Sequence, residues 1–447
     1  MKVNKNLIGL CINHLMIDYS SYYCLTIKLN IKQIDLLTWL KNVNMYPKVY
    51  WSDRDINYKI ACVNTALRIK KIPSVLKANF LRGNIISNIK IYGVQSSNFF
   101  NSRNDGDIIP WNDFLDNIFF IPTFEIHKKI NKTILYINLI KNEYNEHDFL
   151  LNIKELIYEI YNFTGYKIFN ENKLISIEYV PNLFDWRVNI NKIINDINNK
   201  SLRKLVIARQ KVIKFEQSLE IFKIIKIVTK NKSNTYNFFI IINSDSGFIS
   251  FSPERLYIRN INIIESEAIA GTRPRGNNLQ EDKELAFHLY NSYKDKEEIN
   301  IVNQYIKHKF LNLCLQTDKP TEYIIFQTSY VQHLYKRYAG LLLSDNDKKI
   351  IETLHPTPAI CGSPKHNALV NLAKYERFSR SCYASPAGWL STSKTNIGIL
   401  IRSAFISKNR IFIFGGCGIM KKSNIIDEWN EIENKMNLFD TVINIYE

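Results

Sequence analysis

The sequence EAIAGTRPRG, at residues 267–276, stands out in a chain that contains few glycines. Only 15 of the 447 residues are glycine, yet Gly271 and Gly276 both fall here, beside Arg273 and Arg275. Small residues allow another molecule to approach the backbone closely, and arginine side chains favour anions. The stretch therefore predicts a place where an anionic molecule comes close to the backbone.

The composition predicts a globular protein of a reducing compartment. Hydrophobic residues make up 46% of the chain and charged residues 23%, which is typical of a folded protein rather than a disordered one. The seven cysteines are scattered, odd in number and free of any Cys-x-x-Cys pair, which argues against a disulfide framework and a zinc site. Because we find no signal peptide and no membrane-spanning stretch, we expect a cytoplasmic location, or the plastid stroma for an organelle-encoded protein.

The net charge of +17 raises nucleic-acid binding as an alternative function. However, Lys, Asn, Ile and Tyr are abundant along the whole chain, and all four are favoured by AT-rich codons. The basic residues form no tail or stripe, and no nucleic-acid-binding motif is present. The charge therefore indicates solubility and non-specific attraction, and we expect neither a nucleic-acid nor a membrane partner.

Short β-like runs predict strands in both halves of the chain, at 25–30, 89–92, 133–139, 205–208, 237–242, 397–405 and 410–414. Helical patterns occur at 147–161, 280–313 and 425–436. Because helices do not alternate regularly with the strands, the pattern favours an α+β fold with antiparallel sheet. Polar residues at 166–173 predict a connection between an N-terminal portion (1–165) and a catalytic portion (166–447) of one integrated domain.

Two of the predicted helices each carry a pair of carboxylates. Asp295 and Glu298 form the first pair, and Glu428 and Glu431 form the second, with Lys435 one turn beyond. Residues three apart point from one face of a helix. Such pairs could converge on Mg2+, which accepts one or two protein carboxylates together with an anionic substrate group. Two ordinary solvated helix faces would show the same spacing.

The order of the motifs is more specific than any one spacing. Reading forward, the chain gives KLVIAR (204–209), FSPERL (251–256), EAIAGTRPRG (267–276), KDKEE (294–298), VQHL (331–334), LHPTPAICGSPK (354–365), YERFSR and YASPAGW (375–389), IRSA (401–404), GGCGIM (415–420) and EWNEIENK (428–435). This series, with VYWSDRD (49–55) upstream, resembles the chorismate-binding enzyme family. The resemblance covers residues 49–447 and implies two large, mainly antiparallel sheets packed face to face, with helices outside and the active site between them.

Two positions favour the members of this family that form isochorismate. Aminodeoxychorismate synthases have a nucleophilic lysine where this chain has Ala270, and anthranilate synthases usually have glutamine where it has Lys204. The implied activity is a Mg2+-dependent isomerisation that adds water at ring carbon two of chorismate and expels the hydroxyl at carbon four. The expected pathway is menaquinone or phylloquinone synthesis. Salicylate synthases, which form isochorismate and then eliminate pyruvate, are the alternative.

By this resemblance Lys204 is the base that takes a proton from water, and Glu254 is the acid that protonates the leaving oxygen. At neutral pH a free lysine is protonated and a free glutamate is ionised, which is the wrong state for each role. Burial disfavours both charged forms, whereas pairing the two with each other would oppose this. We therefore expect Lys204 and Glu254 on opposite faces of the substrate ring, too far apart for a salt bridge.

The resemblance also assigns the metal and substrate contacts. Mg2+ is expected at the ring carboxylate, held by Glu298 and Glu431, with Asp295 and Glu428 acting through water or behind the direct ligands. Chorismate is expected to bind as the small-molecule partner of a monomer or weak oligomer. The implied substrate contacts are Arg402, Lys435, the pocket residues His333 and His355, the backbone of Gly416 and Gly418, and the wall Ala270, Gly271 and Thr272. Arg273 and Arg275 are expected to brace the loop against acidic neighbours.

Overall fold

The structure is a computed structural model, and it describes residues 24–31, 33–54, 58–69, 72, 89–96, 114, 117–140, 172–229, 235–319, 322–328 and 331–446. The helix predicted at 147–161 and the boundary predicted at 165/166 lie outside the described residues, as does most of the connection predicted at 166–173. No helix of the described ranges is long and apolar enough to cross a membrane.

Twenty strands form the framework of the described chain. They are β1 (Cys24–Ile31), β2 (Lys48–Ser52), β3 (Lys59–Ile69), β4 (Ile91–Val94), β5 (Ile118–Lys129), β6 (Lys132–Ile140), β7 (Leu174–Val180), β8 (Lys204–Phe215), β9 (Tyr236–Asn243), β10 (Ser246–Ser252), β11 (Arg255–Asn260), β12 (Ile263–Pro274), β13 (Cys314–Thr317), β14 (Ile324–Gln327), β15 (Val331–Leu342), β16 (Gly362–Ser363), β17 (Pro386–Leu390), β18 (Lys394–Ile399), β19 (Ser403–Ser407) and β20 (Arg410–Ile419).

Helices pack against this framework. Those of the described residues are α1 (Leu36–Asn42), α2 (Leu183–Asn198), α3 (Ile221–Val228), α4 (Leu279–Asn291), α5 (Tyr293–Leu313), α6 (Asp347–Leu354), α7 (Lys365–Tyr375), α8 (Ile425–Met436) and α9 (Asp440–Tyr446). A 3-10 turn at Asn437–Phe439 joins the last two. The predicted α+β class is confirmed.

Hydrogen bonds link the strands into one antiparallel network, so the two expected sheets are continuous with each other. Successive residues of a strand point to opposite faces, and β2 shows the consequence. Val49 and Trp51 enter one hydrophobic core together with Leu334 of β15 and Trp389 of β17, so these parts of the network face each other. Tyr50 enters a second core, which α2, α3, α7 and α8 cover.

Most predicted elements are confirmed, and two are divided. The predicted strand 397–405 is β18 and β19, separated at Arg402, whose φ of 50° breaks the extended conformation. The break lets the chain leave β11 and β17, the partners of β18, and join β10 and β20. The predicted helix 280–313 is α4 and α5, because Ser292 is extended and its side chain caps the second helix at the Asp295 N–H.

The central ladder of the molecule sets the position of the site. β8 pairs with β20 from Leu205 opposite Ile419 to Lys214 opposite Arg410, so the start of β8 lies beside the end of β20. Helix α8 packs on β20, and α5 packs on β12. The chain thereby brings the lysine that begins β8, the end of β20 and two carboxylate-bearing helices to one place.

Candidate active site

A cavity of about 750 Å3 lies at this meeting point. Its lining includes twelve of the fifteen site residues expected from the sequence: Lys204, Glu254, Ala270, Gly271, Thr272, Glu298, His333, Arg402, Gly416, Gly418, Glu431 and Lys435. The other three, Asp295, His355 and Glu428, are not part of the lining. The sequence motifs therefore converge in space, although up to 231 positions separate their members along the chain.

Lys204 is almost completely buried, with 1% of its surface exposed. Its Nζ lies 2.8 Å from Oε1 of Glu298, which reaches into the cavity from α5. Gly418 makes this approach possible, because a Cβ there would stand 2.5 Å from Lys204 Cε and 2.8 Å from Glu298 Oε1. The glycine of β20 therefore provides the space in which the base candidate and its carboxylate partner meet.

Glu254 is also buried, at the end of the turn between β10 and β11. Burial raises the pKa of Glu254 to about 8, and the charge of Glu267 acts in the same direction. Lys204 and Lys435 lower it, but neither forms a salt bridge with Glu254. A carboxyl with this pKa is largely in its acid form at neutral pH, as a proton donor must be.

His333 presents one specific ring nitrogen to the cavity. Its Nδ1 lies 2.9 Å from the carbonyl oxygen of Gly271, which can only accept, so Nδ1 carries the proton. Burial lowers the pKa of His333 to about 3, so the ring is neutral. Nε2 is buried and has no hydrogen-bond partner among the described residues. His333 therefore offers a hydrogen-bond acceptor to a hydroxyl group or water in the cavity.

The guanidinium of Arg402 lines the cavity and has no ion-pair or hydrogen-bond partner among the described side chains. Burial lowers the pKa of Arg402 to about 10, against the opposing charge of Glu431. Main-chain contacts hold the residue at its left-handed φ, with Phe251 N–H donating to the Arg402 carbonyl oxygen at 3.0 Å. A partly exposed cation held in this way at the cavity wall is suited to bind an anionic group of a substrate.

Each of the four predicted metal-binding carboxylates is paired with a basic side chain. Glu298 and Glu431 line the cavity and pair with Lys204 at 2.8 Å and Lys435 at 2.6 Å. Behind the lining, Glu428 pairs with Lys294 at 2.7 Å. Although burial alone would lower the pKa of Lys294, Glu428, Glu431 and Glu298 raise it overall. The Lys294 ammonium thus partly neutralises this group of carboxylates.

Asp295 and Glu428, which were expected to act through water or behind the direct ligands, lie outside the cavity lining. Asp295 packs behind Gly271 and pairs with Arg273 at 2.6 Å, and Glu428 is held by Lys294. No group of three or more metal-ligating side chains occurs within the described ranges. Glu298 and Glu431 still face the cavity, and two carboxylates suffice for Mg2+ when water and a substrate carboxylate complete its shell.

The structure places one expected pocket residue outside the cavity lining. His355 does not line the cavity; its Nε2 lies 2.9 Å from the carbonyl oxygen of Ala384, which does. Gly416 and Gly418, whose backbone was expected to contact the substrate, belong to the regular strand β20, where they lie opposite Ala208 and Val206. The Gly416 carbonyl accepts from Lys435 Nζ at 2.9 Å.

The bracing role expected of the two arginines in the opening stretch is confirmed. Arg273 donates to Asp295 at 2.6 Å, and Arg275 donates to both carboxylate oxygens of Asp282 at 2.7 and 2.8 Å. Gly271 has a φ of +68°, which forms part of an irregularity between β12 and β15. The wall of the cavity is thus held from behind by two ion pairs.

Several residues near the site were not identified as site residues from the sequence. Tyr383 lines the cavity. It is the first residue of the motif YASPAGW, and membership of this motif could have identified it. Arg54 and Glu267 form an ion pair next to Glu254 although 213 positions separate them. No spacing argument connects residues so far apart, and only the fold shows their contact.

Comparison with known proteins agrees with this geometry. Residues 14–444 match the family model described as chorismate binding enzyme. The isochorismate synthase MenF of Haemophilus influenzae is 26% identical over 423 residues, which cover 94% of this chain and 92% of that protein. The chloroplastic isochorismate synthase of Catharanthus roseus is 32% identical over 274 residues, which cover 60% of this chain. The matched part is 47% of that protein, so the chain spans about half the length of this relative.

A solved structure shows the same fold. The menaquinone-specific isochorismate synthase MenF of Escherichia coli superposes with a TM-score of 0.84 over 99% of both chains, at 23% identity. A buried lysine and a buried carboxyl of raised pKa at one cavity, in a chain that matches this family model over residues 14–444, define the class of the protein as an enzyme. The chain belongs to the chorismate-binding enzyme family.

Proposed function

We propose that this chain is an isochorismate synthase. It would add water at ring carbon two of chorismate and expel the hydroxyl group at ring carbon four. One observation carries the proposal: Lys204 and Glu254 are both buried, line one cavity and form no salt bridge with each other. A water-activating base and a proton-donating acid need this arrangement.

The proton donor is the clearer of the two roles. Because the pKa of Glu254 is raised to about 8, its carboxyl carries a proton at neutral pH. It can give that proton to the departing oxygen at ring carbon four and become a carboxylate as the carbon–oxygen bond breaks. The nearby charges of Lys204 and Lys435 would stabilise the carboxylate that forms.

The base would be Lys204 in its neutral form. In the structure its Nζ is paired with Glu298, and to act as base the ammonium must first release one proton to water. The neutral amine would then take a proton from water as the oxygen bonds to ring carbon two. Burial at 1% exposure keeps this amine out of bulk solvent.

The substrate carboxylates have matching cationic groups. The Arg402 guanidinium can bind a carboxylate through two parallel hydrogen bonds, and Lys435 lies on the side of Glu431. Glu298 and Glu431 are the residues that would hold Mg2+, which would neutralise the ring carboxylate and stabilise charge spread over the ring. His333 Nε2 can accept a hydrogen bond from a substrate hydroxyl or from the attacking water.

The pathway that this product would enter is menaquinone synthesis. Support comes from two relatives that cover most of this chain, the MenF enzymes of Haemophilus influenzae and Escherichia coli. The second is described as menaquinone-specific.

Product identification tests the proposal directly. Purified protein is incubated with chorismate and Mg2+, and the products are separated and identified by mass spectrometry. Isochorismate, absent with Lys204→Ala, is the expected product. Salicylate together with pyruvate would instead establish the alternative synthase activity. Unchanged chorismate, with salt-dependent nucleic-acid binding, would overturn the enzyme assignment in favour of a basic binding protein.

A further inference from the structure

An ion pair lies directly beside Glu254 and is not part of the cavity lining. The Arg54 guanidinium donates to both carboxylate oxygens of Glu267, at 2.8 and 2.9 Å. Arg54 is 6% exposed and Glu267 is 4% exposed, so the pair is buried. A buried, two-bond ion pair fixes the relative position of the segments that carry it. Here those segments are the turn after β2 and the middle of β12.

The same pair binds the main chain on both sides of Glu254. Arg54 Nη1 donates to the carbonyl oxygen of Pro253 at 2.8 Å. Glu267 Oε1 accepts from the backbone N–H of Arg255 at 2.8 Å. The residues before and after Glu254 are therefore attached to the two partners of one ion pair. This contact places the Glu254 backbone, and with it the direction in which its carboxyl enters the cavity.

The charge of Glu267 has a second effect on Glu254. The charged groups that act on Glu254 come from three other elements: Glu267 from β12, Lys204 from β8 and Lys435 from α8. After burial, Glu267 is the strongest influence that raises the pKa of Glu254, while the two lysines and a hydrogen bond with Thr357 lower it. A carboxylate close to a carboxyl favours its neutral form.

We propose that Arg54 and Glu267 are positioning residues for proton donation: the pair orients Glu254, and the charge of Glu267 keeps it in the acid form. The inference rests on the proposed role of Glu254 as proton donor. It assigns two functions that different substitutions separate. Arg54 acts through geometry, and Glu267 acts through geometry and charge.

The charge effect is tested with Glu267→Gln, which keeps the size of the side chain and removes its charge. The pH dependence of kcat/KM for chorismate is measured in wild type and variant. We expect the alkaline midpoint to move down by about one pH unit, because one nearby negative charge is lost. At pH 8 this lowers kcat/KM several-fold relative to pH 6.5. An unchanged midpoint in a folded variant would overturn the charge effect.

The orientation effect is tested with Arg54→Lys, which keeps the positive charge but cannot reproduce the planar two-bond contact. We expect kcat to fall about tenfold or more, because misplaced catalytic groups lose rate steeply, while the alkaline midpoint stays in place. Wild-type kcat in this variant would overturn the positioning role. If Glu267→Gln does not fold, Glu267→Asp replaces it, because aspartate keeps the charge on a shorter side chain. For Glu267→Asp we expect a lower kcat and an unchanged alkaline midpoint. A wild-type kcat in this variant would contradict the proposal.

A matched control comes from the pair Arg259–Asp347, which is also buried and bonded through two contacts, at 2.9 and 2.6 Å. Asp347 does not line the cavity. Asp347→Asn is expected to lower the melting temperature without moving the alkaline midpoint. A similar shift in this control would show that the midpoint reports general loosening of the fold, and would contradict a specific effect of Glu267.

An infrared titration separates this inference from the proposed function. The carbonyl band of a protonated carboxyl is followed with pH in wild type, with Glu254→Gln identifying the contribution of Glu254. The band is expected to disappear at lower pH in Glu267→Gln. This shift requires no turnover, so it is observable even if wild type fails to convert chorismate. Chorismate turnover by wild type without an infrared shift in Glu267→Gln would contradict the charge effect of Glu267 and leave the proposed isochorismate synthase activity intact.

Discussion

The ammonium of Lys204 lies 2.8 Å from the carboxylate of Glu298, while Glu254, which lines the same cavity, forms no salt bridge with any described residue. The base candidate therefore has a local carboxylate, and the acid candidate keeps its proton. Because Lys204 pairs with Glu298 and not with Glu254, the Glu254 carboxyl avoids a salt bridge that would favour its ionised form.

Replacing Lys204 by alanine is expected to lower kcat by about 100- to 10,000-fold, which is the usual contribution of a positioned base. Chorismate turnover is the measurement, with circular dichroism as a check on folding. Lys214→Ala, on the same strand β8 but outside the cavity, is the matched control and is expected to retain wild-type kcat. Undiminished turnover by Lys204→Ala would remove the basis for the proposed mechanism.

The pH profile should report Glu254. Only its protonated form can donate, so kcat/KM is expected to fall as pH rises through about 8, the pKa to which burial raises this group. Initial rates at low chorismate concentration, measured between about pH 6 and pH 10, give the profile. Glu254→Gln should lose both activity and this alkaline limb. A wild-type rate that stays constant through pH 9 would show that Glu254 is not the donor.

Substitution of Arg402 should weaken chorismate binding. Lysine keeps the positive charge but loses the two parallel hydrogen bonds to a carboxylate, so Arg402→Lys is expected to raise the dissociation constant about tenfold. Calorimetric titration of chorismate into the inactive Lys204→Ala background measures binding without turnover. Arg410→Lys, on β20 outside the cavity, provides the control. Equal affinity in Arg402→Lys and the control would exclude a direct carboxylate contact.

Much of the site was predictable because its motifs occur in a characteristic order. Lys204, Glu254 and Arg402 were identified in this way, and the structure brings them to one cavity. The exact pairing of charges was not predictable. Asp295 lies three residues before Glu298, and Glu428 lies three residues before Glu431, so each pair is on one face of its helix. Ion pairs with Arg273 and Lys294 nevertheless hold Asp295 and Glu428 behind the cavity wall. The spacing of carboxylates along one helix gives no information about which basic residue of another element will pair with each of them.

The breaks in regular structure show a similar limit. Residues 397–405 are apolar enough to predict one strand, but the chain turns at Arg402 to pass from one part of the sheet network to another. Ser292 ends one helix and begins the next through a side-chain cap. In both cases tertiary packing outweighs the local sequence pattern. In the first case the residue at the break, Arg402, also lines the cavity.

Metal binding is expected to depend on Glu298 and Glu431. Mn2+ can stand in for Mg2+ at oxygen sites, and its binding is followed by electron paramagnetic resonance in the presence of chorismate. Glu298→Gln and Glu431→Gln should each weaken binding, and chelator should stop turnover by wild type. Glu297→Gln is the matched control, because Glu297 is exposed and adjacent in sequence. Equal Mn2+ affinity in all three variants would show that Glu298 and Glu431 do not bind the ion.

The close approach at Gly418 gives a test of the cavity's internal packing. In Gly418→Ala the new Cβ would lie 2.5 Å from Lys204 Cε and 2.8 Å from Glu298 Oε1, so the Lys204–Glu298 pair must move apart. We expect a large loss of kcat together with a destabilisation of about 1–3 kcal/mol from overpacking, measured by chorismate turnover and by urea unfolding. Gly247→Ala in β10 is the control, because its nearest neighbour would be the flexible end of Ile221 at 3.1 Å. If Gly418→Ala kept wild-type kcat, the position of the Lys204 amine would not be critical for the reaction.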